Sequence, residues 1–275
     1  MNEYVIQGAT LYAIADAIRA KKTVASDYTR VEYIESTGTQ YINTRYKFTS
    51  DKVKIRMGIE NMNTAAGAAL CGTENASYSG STSDQNGWFS PLLFSYVADG
   101  ANIFTLNIGG TPYATKVTIP KNAQHTVEVE TFGNGAGQTV FDGTVTNYSY
   151  SGHMENLYDL YLFAENYTGK AQSFSKYRLY SFQIYDNDVL VRDFVPCVHT
   201  DGTVGLYDSV TKEFYTNAGS GVFTAGAEIE AIDGTTGSDD LIRTSSMAYE
   251  ILTIGQASEK LPLSIKLENN VLIIE

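Results

Sequence analysis

From residue 28 to residue 226 the apolar residues of this chain recur with a period of two, and that alternation most narrows its fold. Val53, Ile55, Met57 and Ile59 alternate with Lys54, Arg56, Gly58 and Glu60, the pattern of a strand with one face in a core and one in water. Similar strands are expected at residues 127–131 and 139–145. Residues 157–163 are apolar at both parities, so they are expected as one strand in the middle of the protein. Two hairpins are expected next: residues 177–185 with 189–195 around Asp186-Asn187-Asp188, and residues 205–207 with 213–215. Many short strands punctuated by Gly, Asn and Asp, with almost no helical periodicity, imply an all-β, two-sheet sandwich, and a jelly roll is the specific expectation.

The ends of the chain differ from this middle. Leu11, Ile14, Ala15 and Ile18 recur at helical spacing behind a capping Thr10, so a short N-terminal helix is expected. Alone it would be marginal, and its apolar stripe needs a surface to dock on, a neighbouring subunit being favoured. After Gly226 comes GAEIEAIDGTTGSDD, a polar linker, and then Leu263, Ile265 and Leu267 alternate before Val271-Leu272-Ile273-Ile274. The expected organisation is a helical attachment segment at 1–27, a sandwich domain at 28–226, and a linker with a small C-terminal β-hairpin at 227–275.

Composition excludes several partners. With 19 Lys+Arg against 31 Asp+Glu the net charge is −12, which opposes binding to nucleic acid and to anionic membranes. No stretch approaches a membrane span, and the N-terminus lacks the basic start and small-residue cleavage site of a secretory signal, so the chain is expected to be made in the cytoplasm. Cys71 and Cys197 stand far apart with no metal spacing and are expected as buried thiols. Twenty tyrosines suit a rigid binding surface.

Residue chemistry points to binding more than to catalysis. Retaining glycosidases need two carboxylates close together, commonly as E-x-D-x-x-E on one strand, and no such string is present. Glu128 with Glu130, and Glu228 with Glu230 and Asp233, come nearest and are expected to face solvent. Cys197, His199 and Asp201 alternate, but a turn at TDG interrupts them, and neither HxxxH nor HExxH occurs; no catalytic residue and no metal site is assigned. The aperiodic stretch NASYSGSTSDQN at 75–86 is expected as a long surface loop. Tyr78, Asp84, Gln85, Asn86 and Trp88 place aromatic rings beside amides and a carboxylate, as sugar binding requires; Trp88 and Phe89 read equally well as the start of a core strand. Tyr148, Tyr150 and His153 form a second such group.

Three segments resemble a known module: VEYIESTGTQYINT at 31–44, LYLFAENYTG at 160–169, and RLYSFQIYDNDVLVRDFVPCVHTDGTVGLYDSVTKEFYTNAGSGVF at 178–223. They are similar to a laminin G-like, concanavalin A-like jelly roll found in gut-bacterial surface proteins and in the tail proteins of their phages. LYAIADAIRAKK at 11–22 resembles a helix that opens many phage minor tail or baseplate proteins. The resemblance implies a virion tail protein, a homotrimer that contacts other tail proteins and host-surface carbohydrate, with no enzymatic activity. A purely structural virion component is the alternative, and a polysaccharide-cleaving enzyme comes third. No cofactor is implied, although such sandwiches can hold a structural calcium, for which Glu74 and Asp84 are the candidates.

Overall fold

A computed structural model describes residues 24–62, 67–74, 88–95, 102–108, 116–151, 153, 158–229, 265–268 and 271–274; at 88–95, 102–103, 116, 265–268 and 271–274 the description is of backbone pairing alone. The expected helix at 10–22 lies outside these residues. The chain divides into two compact units, Met1–Ala231 and Ile232–Glu275. In the second, Ile265–Glu268 and Val271–Ile274 pair antiparallel as the expected hairpin.

Among the described residues the first unit is all β and carries two large sheets. The larger runs in the order Thr144–Ser149, Ala136–Phe141, Gln124–Thr131, Val53–Asn61, Tyr177–Asp186, Val189–His199, Val204–Asp208 and Phe214–Thr216. The smaller runs Lys170–Gln172, Glu165–Tyr167, Cys71–Glu74, Trp88–Ser95, Asn102–Ile108 and Lys116–Ile119, with Tyr161–Leu162 and Ile42–Asn43 joined to its flank. Pairing is antiparallel except between Glu165–Tyr167 and Cys71–Glu74.

The alternation read from sequence is the alternation of burial. Val53, Ile55, Met57 and Ile59 are buried and pack with Val127, Val129, Leu179, Phe182, Ile184 and Phe194 from the larger sheet. Cys71, Phe104, Leu106, Ile108 and Leu162 enter the same cluster from the smaller sheet, so the core lies between the two sheets and the architecture is a β-sandwich. Each such side chain contributes ~1.5–3 kcal/mol when withdrawn from water. Leu179 and Phe182 have opposite parity yet both face inward. The register shifts between Leu179 and Ser181, and the extra residue, Tyr180, resets the phase.

Two sequence expectations change. Residues 139–145 are not one strand: Asp142 and Gly143 both take positive φ, 45° and 83°, so a two-residue turn joins Ala136–Phe141 to Thr144–Ser149. Thr168 and Gly169, at φ 51° and 88°, join Glu165–Tyr167 to Lys170–Gln172 in the same way, and a third hairpin of this kind turns on Asn187 and Asp188 at φ 49° and 64°, close to where it was expected. Residues 157–163 do not form one long strand either. Tyr161–Leu162 is short, Phe163 takes φ 66°, and the chain turns into Glu165–Tyr167. Its position in the interior is as expected, for Leu160, Leu162 and Phe163 are fully buried.

The strings that carry the family resemblance are scaffold. Gln40, buried, accepts from Ser36 Oγ at 3.0 Å and Thr37 N at 2.9 Å and donates to Val222 O at 2.9 Å, which knits STGTQ to GSGV. Gly219 lies so close that a Cβ would stand 2.4 Å from Thr39 O. Asp208, fully buried, accepts from Asp193 N, Val210 N and Thr211 Oγ1 and holds the turn before Phe214–Thr216. Residues 224–229 close the unit, since Ala225 pairs with Ile34 and Ile229 N donates to Arg30 O at 2.9 Å.

Candidate functional site

Directly paired residues share a sheet face and neighbours along a strand do not. In the smaller sheet the parity of Cys71, Phe104, Leu106 and Leu162 belongs to the core. The opposite parity builds an outer face. Tyr161 pairs with Gly72 and with Asn43, Tyr167 with Glu74, and Glu165 with Gln172; Trp88 stands opposite Glu74, Asn107 opposite Ser90 and Thr105 opposite Leu92. Residues distant in sequence thus come to one face of the smaller sheet, where Glu165, Thr105 and Asn107 are buried.

A carboxyl pair lies on this face. Glu165 is only 4% exposed and accepts from Gln172 Nε2 at 3.2 Å and Ser173 Oγ at 3.4 Å. Burial first, and then the charge of Glu165, push the half-buried Glu74 carboxyl up to about 7. Near neutrality Glu74 therefore exchanges between an acid that donates and a carboxylate that accepts. Thr105 and Asn107 are 3% and 2% exposed on the same face. Polar groups at such depth outside the sandwich core mark a face organised for polar contacts rather than for plain solvation.

The flank of the face is aromatic. Tyr41 stacks on Tyr161 with ring centroids 4.7 Å apart, and Phe174, 37% exposed, meets Tyr41 edge-on at 6.2 Å. Beside them opens a cleft of about 150 Å³ lined by Lys47, Tyr158, Asp159, Tyr161, Asn166 and Gly169. Asn166 shapes it: its Nδ2 donates to Asp159 O and its Oδ1 accepts from Gly169 N, both at 2.8 Å. The exposed Lys47 ammonium and the partly exposed Asp159 carboxylate remain as its charged lining. The volume is below the ~300–1,000 Å³ of typical ligand pockets and suits one ring rather than an extended chain.

Of the residues singled out from sequence, Tyr78, Asp84, Gln85 and Asn86 lie outside the described residues, as do Glu230 and Asp233. Trp88 opens a strand and is paired with Glu74, one of the two calcium candidates. Among the described residues no three His, Cys, Asp or Glu side chains gather as a metal site.

Tyr148 and Tyr150 are not a ligand group: both belong to the core cluster, and their hydroxyls donate to Glu130 O at 2.9 Å and Asp51 O at 3.4 Å. The polar tips that suggested sugar contacts serve backbone carbonyls. His153 pairs with Asp51 at 2.7 Å. Glu128 and Glu130 lie on the larger sheet opposite Arg56 and Lys54, and Glu130 accepts from Gln138 Nε2 at 2.8 Å. His199 and Asp201 pair at 2.9 Å, and Cys197 does not gather with them into a metal site. Burial pushes the Cys197 thiol up to about 12, which removes it as a nucleophile. His199 and Thr203 instead hold the exposed Asp201 carboxyl down at about 2 within the TDG turn. Cys71 is likewise a buried free thiol.

Glu165, Gln172, Tyr41 and Tyr161 escaped sequence reasoning. The one local signal was a charged residue, Glu165, inside the otherwise apolar LYLFAENY.

No protein-family model matches the chain, and no curated protein matches it. Several solved structures resemble it in part, three of them as follows. A heptameric SAP-like pentraxin from Limulus polyphemus aligns over 59% of this chain and 76% of its own, at 9% identity and TM-score 0.41. Domains LG4-5 of the mouse laminin α1 chain align over 66% and 48%, at 12% identity and TM-score 0.37. A full-length tailspike protein from Escherichia coli O157:H7 bacteriophage CAB120 aligns over 60% and 27%, at 10% identity and TM-score 0.36. These likenesses carry no residue and no activity across to this chain.

Proposed function

We propose that this chain is a non-enzymatic binding module of a bacteriophage tail or baseplate that recognises host-surface glycans through the outer face of its smaller sheet. The setting, the homotrimer and the contacts with other tail proteins rest on the resemblance of residues 11–22 and 31–223 to phage tail modules. The glycan reading rests on one observation: the Tyr41 and Tyr161 rings stack at 4.7 Å beside a cleft that carries Lys47 and Asp159. A sugar offers an apolar C–H face to such rings and hydroxyls to such charges.

The test is a glycan array and whole host cells probed with purified protein, wild type and Tyr41→Ala. Loss of one stacked ring lowers affinity about tenfold, the equivalent of ~1.4 kcal/mol, with the fold retained in the circular dichroism spectrum. Particles that incorporate the protein while it binds neither glycan nor cell would replace this reading with a purely structural virion role.

The Glu74 and Glu165 pair favours a second reading, a polysaccharide-cleaving enzyme with Glu74 as general acid and Glu165 as its charged neighbour. Release of reducing sugar by the wild type, abolished in Glu74→Gln, would establish it.

A further inference from the structure

Among the described residues the strand Thr144–Ser149 ends the larger sheet, and its sequence, TVTNYS, carries neither charge nor proline. Edge strands usually carry Lys or Pro, or are very short, because an open row of backbone donors and acceptors recruits another strand. The other edges follow that rule. Lys170–Gln172 and Lys116–Ile119 each bring a lysine to an edge of the smaller sheet, and Phe214–Thr216 at the far end of the larger sheet has three residues.

The phase of the ladder shows which groups face outward. Tyr150 N donates to Gly135 O at 2.8 Å, continuing the register that pairs Gly137 with Tyr148, Thr139 with Thr146 and Phe141 with Thr144. Hydrogen-bonded and non-hydrogen-bonded pairs alternate in an antiparallel ladder, so Tyr148, Thr146 and Thr144 direct their backbone groups inward, to Ala136–Phe141. Val145, Asn147 and Ser149 direct theirs to the edge that no other described strand covers. All three are exposed, Val145 at 53%.

We propose that this edge pairs antiparallel with the same edge of a second copy of the chain, about a two-fold axis through Asn147. The outward positions are disposed symmetrically about Asn147, so on this axis Asn147 faces its counterpart and Val145 faces the copy's Ser149. Each such pair exchanges both backbone hydrogen bonds without changing sheet face, and the larger sheet runs on from one copy into the next. A two-fold contact sets every residue against a symmetry mate. In a chain of net charge −12, this uncharged strand meets its own image without repulsion. The contact is at the small end of interface size, so the dimer is reversible. It is independent of the glycan reading and of the trimer implied by the family resemblance.

Sedimentation velocity on the full chain at ~1 μM and ~100 μM tests it. The expected result is a mass that rises with concentration, from 30.1 kDa toward twice that where the chain starts single, and upward from three times 30.1 kDa where it starts as the trimer. Asn147→Pro removes the central outward N–H at a position where an edge strand tolerates proline, and Asn147→Lys sets two like charges on the axis; both variants are expected to stay at the smaller mass with unchanged unfolding midpoints. In the wild type, hydrogen exchange at Val145, Asn147 and Ser149 is expected to slow as concentration rises, a readout that needs no variant. A monomer at both concentrations, an oligomer insensitive to both substitutions, or exchange at these amides independent of concentration would overturn the proposal.

Discussion

Replacing Glu74 by Gln should stabilise the protein above neutral pH and leave it unchanged in acid. Burial, reinforced by Glu165, raises the folded-state value of this carboxyl from 4.5 to about 7, so the folded chain binds its proton more tightly than the unfolded chain does. The resulting stability is fully present below about 4.5 and is lost as pH rises through about 7. Above that, the ionised side chain opposes folding. Taken at full value the difference is ~3 kcal/mol; Glu74 is only half-buried, and solvent screening reduces the expectation to ~1 kcal/mol. In a chain of this size that is ~2–4 °C in Tm. Thermal unfolding followed by circular dichroism from about pH 4 to about pH 9 should show the two proteins melting together at the acid end and the variant melting higher at the alkaline end. Parallel profiles, or a variant less stable throughout, would refute a Glu74 carboxyl raised by burial and by Glu165.

Other substitutions probe the scaffold. Asp186 is buried and accepts from Tyr46 Oη at 2.6 Å, Thr49 N at 2.7 Å, Thr49 Oγ1 at 2.8 Å and Ser50 Oγ; Asp186→Asn should cost ~2–4 kcal/mol in urea unfolding at neutral pH. Burial raises this carboxyl, but the bonds from Ser50, Tyr46 and Thr49 together outweigh it and hold it below the usual aspartate value. Its contribution is present above that usual value and is lost as pH falls through the folded one, so the gap between wild type and variant should close in acid. Tyr177→Phe keeps the stack on Phe163 at 4.3 Å and removes one of the two hydrogen bonds that Leu70 O accepts, leaving the one from Phe163 N at 2.9 Å; urea unfolding should show a loss of ~0.5–1.5 kcal/mol. Gly205→Ala would set a Cβ 2.4 Å from Tyr215 O, and a lowered urea midpoint of ~1–3 kcal/mol is the expected outcome.

Period-two patterning made the sandwich legible because burial on one side of a strand is a local property of every second residue. The turn at Asn187-Asp188 was legible for the same reason, since residues that tolerate positive φ advertise it. Asp142-Gly143 carries that signal too, and the apolar residues on either side of it, which read as one continuous strand, hid it. Tyr148, Tyr150 and the Glu128 and Glu130 pair were misleading or neutral because a polar tip in sequence does not say whether its partner is a ligand, a backbone carbonyl or a neighbouring strand.

The sequence by itself determined the class of fold and which residues of its strands face the core, both consequences of periodicity along one segment. Only the tertiary structure decided that Glu74 meets Glu165, that Tyr41 stacks on Tyr161, and that Thr144–Ser149 is left at an edge. Each joins residues tens of positions apart or depends on which described strand ends its sheet. Pairing across a sheet is set by the whole core closing at once, and no local pattern encodes it.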